Sequence, residues 1–217
     1  GKRSEKLRDC ILFGNTDEVN VKGYMIMYEI YNMQVGEIYL SHVFNMVKTY
    51  MESSVEDSFD FIVLDKRHAL AIIDMPIEKV RSICMQATED ARLCDVTLSA
   101  FIGHYQMNAE SLQKEMLLCQ SMARYQLTRE MGFVYDYMQY EADENKKLCF
   151  SASEMNAVIN KIIVSTDDGM RRAVLKEYLK SVSDNSVENF IAIYSRLMNA
   201  VQEIFGRILP EHMSEFT

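Results

Sequence analysis

The chain has 217 residues, room for one large domain or two small ones at roughly 100–200 residues each. It carries 23 Lys+Arg against 32 Asp+Glu, a net charge of −9, with 48% apolar and 25% charged residues. This is ordinary globular usage, which excludes a disordered, collagen-like or disulfide-scaffold chain, and so acidic a chain does not read as a whole nucleic-acid-binding protein. Apolar runs reach only about five residues, against about 20 for a membrane-spanning helix. The skew lies in 16 Met, 2 Pro, 8 Gly and no Trp.

The five cysteines are Cys10, Cys84, Cys94, Cys119 and Cys149, odd in number and in no C-x-x-C spacing. They read as reduced, mostly buried thiols of a cytoplasmic protein. His42, His68, His104 and His212 are not spaced with one another or with Cys as zinc ligands. Lys2, Arg3, Lys6 and Arg8 precede no apolar h-region, so no signal peptide is expected. The basic stretch suits either the cytoplasmic flank of a membrane anchor or solvated charges at a helix start. A start at Gly1 in place of Met suits either an excised piece or the scar of a removed tag.

In chain order, Glu5–Phe13 reads as a short amphipathic helix closed by Gly14, and 15–23 as a polar link. Tyr24–Tyr31 is eight residues of aromatic and aliphatic character, interrupted only by Glu29, and reads as a strand. After a break at 32–36, Ile38–Met51 sets Val43, Phe44, Val47 and Tyr50 at helical spacing, and 53–58 reads as a loop. Phe59–Leu64 and Ala69–Ile73 flank the charged turn Asp65-Lys66-Arg67-His68, a hairpin pattern. Pro76 suits the first turn of a helix over Ile77–Leu93. Asp95–Tyr105 returns to a strand, with Val96, Leu98, Ala100 and Ile102 alternating. Asn108 is placed to cap a helix over Ala109–Tyr125. The first part thus reads β–α–β–β–α–β–α after a leading helix, an α+β sandwich with helices on one side of a mainly antiparallel sheet.

Phe133–Tyr140 reads as one more strand, and 141–147 as a charged loop. Helices follow. Ser151-Ala-Ser-Glu154 has capping-box spacing ahead of Met155, Val158, Ile159, Ile162 and Ile163. Breaks at 166–169 and 184–186 separate helices over Met170–Leu179 and Val187–Leu209, the longest periodic segment. The organisation expected is an entry helix and link (1–22), an α+β domain (23–127) and a mainly helical subdomain (128–217).

Phosphate-loop, dinucleotide-binding, zincin, nucleophile-elbow and EF-hand patterns are absent from the sequence. Asp167-Asp168-Gly169 resembles the start of a calcium loop without its later ligands, and reads as a helix-start loop. His104, beside Tyr105 at a strand end, is either a site residue or a structural one. Asp60 is either a metal ligand beside the core or a charge on the solvated face. Met25, Met27, Met116, Met155 and Met198 fall in phase with apolar stripes, so the methionines read as core filler or as an adaptable binding surface.

The element order, with a hairpin at its centre, resembles the nucleotidyl-cyclase-like domain of GGDEF proteins. In that family the signature occupies the hairpin turn, its glycines admitting a nucleotide and its acids holding Mg²⁺. Here the turn is Leu64-Asp65-Lys66-Arg67-His68, with both glycines gone and cations in place of the second acid. The family's early-strand metal Asp falls near Glu29. The chain is more closely similar to the regulatory region of large AraC-type bacterial transcription regulators, which carry a degenerate GGDEF-like domain before their DNA-binding domain. The resembling pieces are Lys6–Gly14, Tyr24–Tyr31, Ser99-Ala-Phe-Ile-Gly103 and the helical stretch 153–209, with Ala123-Arg-Tyr125 a loose echo of their helix end. The helix-turn-helix units of that family would follow Thr217.

The resemblance implies a non-catalytic module coupling an upstream sensor to a downstream DNA-binding domain, with no catalytic, cofactor or metal residues, no direct nucleic-acid contact and a homodimeric state. Tyr194, Leu197, Met198, Val201 and Phe205 are the candidate dimer contact, or else pack within the chain. The alternatives are a nucleotide- or metabolite-binding sensory module on the same fold, and an enzyme with a rebuilt metal site.

Overall fold

The computed structural model describes residues 2–14, 19–31, 37–55, 59–127, 131–145, 152–165, 167–182 and 187–208. The elements are α1 (Lys2–Phe13), β1 (Gly23–Ile30), α2 (Glu37–Ser54), β2 (Asp60–Val63), β3 (His68–Ile73), α3 (Ile77–Leu93), β4 (Leu98–Gln106), α4 (Leu112–Ala123) with a 3-10 turn (Arg124–Leu127), β5 (Val134–Asp136), α5 (Tyr137–Glu144), α6 (Ala152–Val164), α7 (Asp168–Val182) and α8 (Val187–Ile208). The chain divides into two compact units, Gly1–Glu141 and Ala142–Thr217.

Five strands form one sheet in the order β2-β3-β1-β4-β5. β1 lies at the centre, antiparallel to β3 from Tyr24↔Ile73 to Glu29↔His68 and antiparallel to β4 on its other side. β2 pairs antiparallel with β3, and β5 runs parallel to β4. Strands β1 and β2 enclose β3, and β3 and β4 enclose β1, which is the split β-α-β arrangement twice over.

On one face Ile26, Tyr28 and Ile30 of β1 join Ala69, Ala71 and Ile73 of β3 and Leu98, Ala100 and Ile102 of β4 in a core. Helix α2 seals it with Val43, Phe44, Val47 and Met51, and α3 with Val80, Ile83, Cys84, Ala87 and Ala91, each set at helical spacing. The intervening residues of the strands, Met25, Met27, Leu70 and Phe101, are equally buried on the opposite face. There α4 lies over β1 and β4 with Leu112, Met116, Cys119 and Met122, and α1 packs beside it with Leu7, Cys10 and Ile11. Helices therefore cover both faces, and the expected one-sided sandwich is corrected. A strand with apolar side chains on both faces must lose water on both, at about 1.5–3 kcal/mol for each large side chain buried.

Helix α1 closes as its sequence demands: Gly14 has φ +69° and donates its N–H to the Cys10 carbonyl at 3.0 Å. Helix α4 starts later than expected. The Asn108 carboxamide accepts the Glu110 N–H at 3.2 Å in a turn, and the helix begins at Leu112. The predicted strand over 133–140 stops at Asp136, because that carboxylate accepts the N–H groups of Met138 and Gln139 and starts α5. Since β5 is bonded to β4, the first unit runs through Glu141 instead of ending at 127. In the second unit Ile159, Tyr178, Ile193 and Leu197 from α6, α7 and α8 form the core. Ser151 of the capping box, Cys149, Thr166, His212 and the breaks at 32–36 and 184–186 lie outside the described residues.

Phe44 is 1% exposed and central to the first core. Phe44→Ala lowers the stability of the first unit by about 3–5 kcal/mol in urea titration. Met85→Ala, at a position 62% exposed on α3, stays within about 0.5 kcal/mol of the parent. Equal effects from the two would contradict this packing.

Candidate functional site

Two polar clusters stand at opposite ends of β1. The first is built on the β2–β3 turn. One Asp65 carboxylate oxygen accepts the N–H groups of Arg67 and His68 at 2.7 and 2.9 Å, and both of its oxygens lie 2.9 Å from His68 Nδ1. Leu64 N–H donates to the His68 carbonyl at 2.9 Å and closes the turn. Burial works against the Asp65 charge, but the Arg67 amide, the His68 ring and the His68 amide outweigh it and hold the carboxyl below its usual range.

Glu29, the one charged residue of β1, stands opposite His68 in the strand register. Its carboxylate lies 3.7 Å from His68 Nε2 and accepts the Gln126 side-chain N–H at 2.9 Å. The His68 imidazole is raised above its ordinary value, first by Glu29, against the opposing effect of burial, and then by Asp65.

The second cluster is built on a bulge. β4 pairs Ile102 with Ile26 and Tyr105 with Tyr24, so Gly103 and His104 together stand opposite Met25. The extra residue turns His104 to the α4 face and returns Tyr105 to the α3 face, where its ring meets Tyr24 edge-on at 5.1 Å. Glu115 reaches up from α4 with its side chain 8% exposed. It accepts the His104 backbone N–H, and its Oε1 lies 3.1 Å from His104 Nδ1. A Cβ on Gly103 would stand 2.9 Å from Glu115 Cγ, so the carboxylate fits only because residue 103 is glycine.

On the other side of the ring, Nε2 lies 3.3 Å from Glu141 Oε1, and the Tyr137 ring stands 4.4 Å away. Nearby, Arg81 of α3 binds Asp136 at 2.6 Å. Tyr105 donates its hydroxyl to Asp74, which Lys22 also meets at 2.7 Å.

The other sequence candidates are accounted for by local contacts. Asp60 receives Arg3 of α1 through both oxygens at 2.7 Å and so anchors α1 to β2. Asp167 accepts the Met170 N–H at 2.9 Å and Asp168 meets Arg171 at 2.8 Å, as a helix start does. Cys10, Cys84 and Cys119 are buried and Cys94 is exposed. Burial pushes the Cys84 thiol up to about 12 and the Cys119 thiol higher still. Met25, Met27 and Met116 are core residues, and Met155 packs in the helical core. Among the described residues, no three His, Cys, Asp or Glu side chains converge as metal ligands.

The expected dimer stripe on α8 divides. Leu197 is 1% exposed and belongs to the core of the helical unit, which removes it from any surface contact. Tyr194 and Met198 are exposed, in line with the exposed Ile191. Val201 and Phe205 lie in α8, with side chains outside the described residues.

Sequence reasoning singled out Glu29, Asp65, His68 and His104 but missed Glu115, Gln126, Arg81 and Asp136. Two signals pointed to the second cluster: a glycine inside an alternating strand, which marks a bulge, and a glutamate in the apolar stripe Leu112, Met116, Cys119. Comparison with family models, with curated proteins and with solved structures finds no match.

The raised His68 fixes a pH dependence. Its contribution to stability is complete below the ordinary imidazole value of about 6.5 and is lost as pH rises through the higher folded value. The urea midpoint of the parent therefore exceeds that of His68→Gln by more at pH 6 than at pH 8.5; a constant difference would contradict the pairing. Gly103→Ala destabilises the first unit by about 1–3 kcal/mol, because the new methyl displaces Glu115. A neutral outcome in the same titration would contradict the close approach.

Proposed function

We propose that this chain is a non-catalytic signal-transmission and dimerisation region of a bacterial transcription regulator, coupling an upstream sensor to a downstream AraC-type DNA-binding domain. The observation that carries the reading is the second apolar row of α8. Ile193 and Leu197 point into the helical core, while Ile191, Tyr194 and Met198, three and four residues apart, form an exposed row. The Tyr194 ring is stacked on Phe190 at 6.4 Å and is thereby held in place for a partner. A row of this kind on a 22-residue helix suits a two-fold contact in which the same surface serves both copies. A signal that changed the geometry of that contact would change the spacing of attached DNA-binding units.

The sheet unit supports the same reading. Its order α1-β1-α2-β2-β3-α3-β4-α4 follows that of the degenerate GGDEF-like domains the sequence resembles. The hairpin turn contains no glycine, and its one acid, Asp65, is engaged by the turn's own N–H groups and by His68. In this role the protein would act in the cytoplasm, and nucleic acid would be contacted by another part of the regulator.

Light scattering on the 217-residue chain tests the reading. A dimer is expected at high micromolar concentration. Tyr194→Glu with Met198→Glu weakens self-association about 30-fold or more and leaves the helical circular dichroism intact. A monomeric parent at that concentration would overturn the proposal.

A further inference from the structure

Strand β2 is an edge of the sheet, and the ladder fixes which of its backbone groups face outward. Leu64 donates its N–H to the His68 carbonyl at 2.9 Å, so these two form a hydrogen-bonded pair. Such pairs alternate in an antiparallel ladder, so Ile62 and Asp60 also turn their backbone groups to β3. The N–H and C=O groups of Phe61 and Val63 therefore point away from the sheet. Among the described residues they meet no hydrogen-bond partner there. Natural sheets blunt an open edge with Pro, Lys or a bulge. β2, Asp60-Phe61-Ile62-Val63, has no Pro or Lys and pairs with β3 in unbroken register. Its one charge, Asp60, is held by Arg3 of α1.

Two side-chain features lie along the same edge. Phe61 packs on the core, with its ring 6.4 Å from that of Tyr28, so by alternation Phe61 and Val63 share the α2 face. Val63 is 47% exposed there. A groove of about 360 Å³ runs beside it, with Lys48, Glu52, Val55, Phe59 and Phe61 in its lining. Lys48 and Glu52 are an i,i+4 pair of opposite sign, 3.6 Å apart and half exposed.

We propose that the outer edge of β2 docks a second copy of this chain, by antiparallel β2–β2 pairing about a two-fold axis at Ile62. That axis sets Phe61 opposite Val63 of the second copy, and Val63 opposite its Phe61. Both are then hydrogen-bonded pairs, and the outward groups of each copy satisfy those of the other. The exposed Val63 side chain comes to the Phe61 end of the neighbouring groove, an apolar cross-strand pair made twice. Each α2 runs antiparallel to its copy, so Lys48 is set toward Glu52 of the second copy and Glu52 toward its Lys48. A patch that meets itself needs both signs, and this one has them. One short strand covers less than the roughly 1,000 Å² of a stable interface, so the pairing is weak and shows at high concentration. It lies wholly within the first unit and does not rest on the α8 row.

Residue-resolved hydrogen exchange tests it on the full chain carrying Tyr194→Glu and Met198→Glu, which silence the α8 row. Raising the protein from about 10 µM to about 1 mM slows the Phe61 and Val63 amides about threefold and leaves Ile62, already bonded to β3, unchanged. Val63→Pro removes an outward N–H without touching the β3 ladder, and in it the Phe61 amide no longer responds to concentration. A Lys48→Glu chain mixed with a Glu52→Lys chain slows at an about threefold lower concentration than either alone, because opposite signs then meet at both positions. Rates at Phe61 and Val63 that ignore concentration would overturn the pairing and leave the α8 reading untouched. Equal slowing at Ile62, or slowing that persists at Phe61 in Val63→Pro, would also overturn it. If Val63→Pro fails to fold, the mixed chains decide: a mixture that behaves as its components do contradicts the two-fold contact.

Discussion

Strand β1 is apolar on both faces and must be covered twice, and the first unit is arranged around that need. Ile26, Tyr28 and Ile30 draw α2 and α3 to one side, and Met25 and Met27 draw α1 and α4 to the other. Antiparallel neighbours on both edges satisfy its backbone, which places β3 and β4 beside it and sends the connecting helices across the sheet. The Arg3–Asp60 pair is one consequence: α1 precedes the sheet in sequence and is fixed to strand β2 by a two-point ion pair.

Polar groups gather where the double burial ends. At one end Glu29 enters the sheet and is met by His68 and Gln126. At the other a bulge breaks the alternation and sets His104 between Glu115 and Glu141. Asp65, Glu115 and Asp136 share one habit. Each accepts backbone N–H groups from a turn, a bulge or a helix start, so each carboxylate organises a place where the regular ladder fails. His68 and His104 then connect those places to the elements beside them.

Much of this was legible in the sequence. The helix over Ile77–Leu93 and the hairpin around Asp65–His68 follow directly from period and turn chemistry. What period could not show was the second face of the sheet. Alternation identifies a buried face only when the other face is polar, and in β1 both are apolar. The aromatic run at 133–140 concealed the end of β5, because the N-capping role of Asp136 depends on where the strand leaves the sheet. The stripe on α8 is wider than one contact. Leu197 and Tyr194 both lie on it, and only the position of α6 and α7 decides which flank turns inward. Glu115 and His104 were each visible alone, but their meeting depends on a bulge that inserts a single residue.

The outward row of α8 is the point on which the functional reading turns, and disulfide trapping tests it most directly. With Cys94 and Cys149 replaced by Ser, Tyr194→Cys and Met198→Cys chains are oxidised and the covalent dimer is quantified. Pairing of copies through this row predicts rapid dimer formation from both, and slow formation from Met170→Cys, an exposed position on α7. Equal rates at all three positions would contradict it.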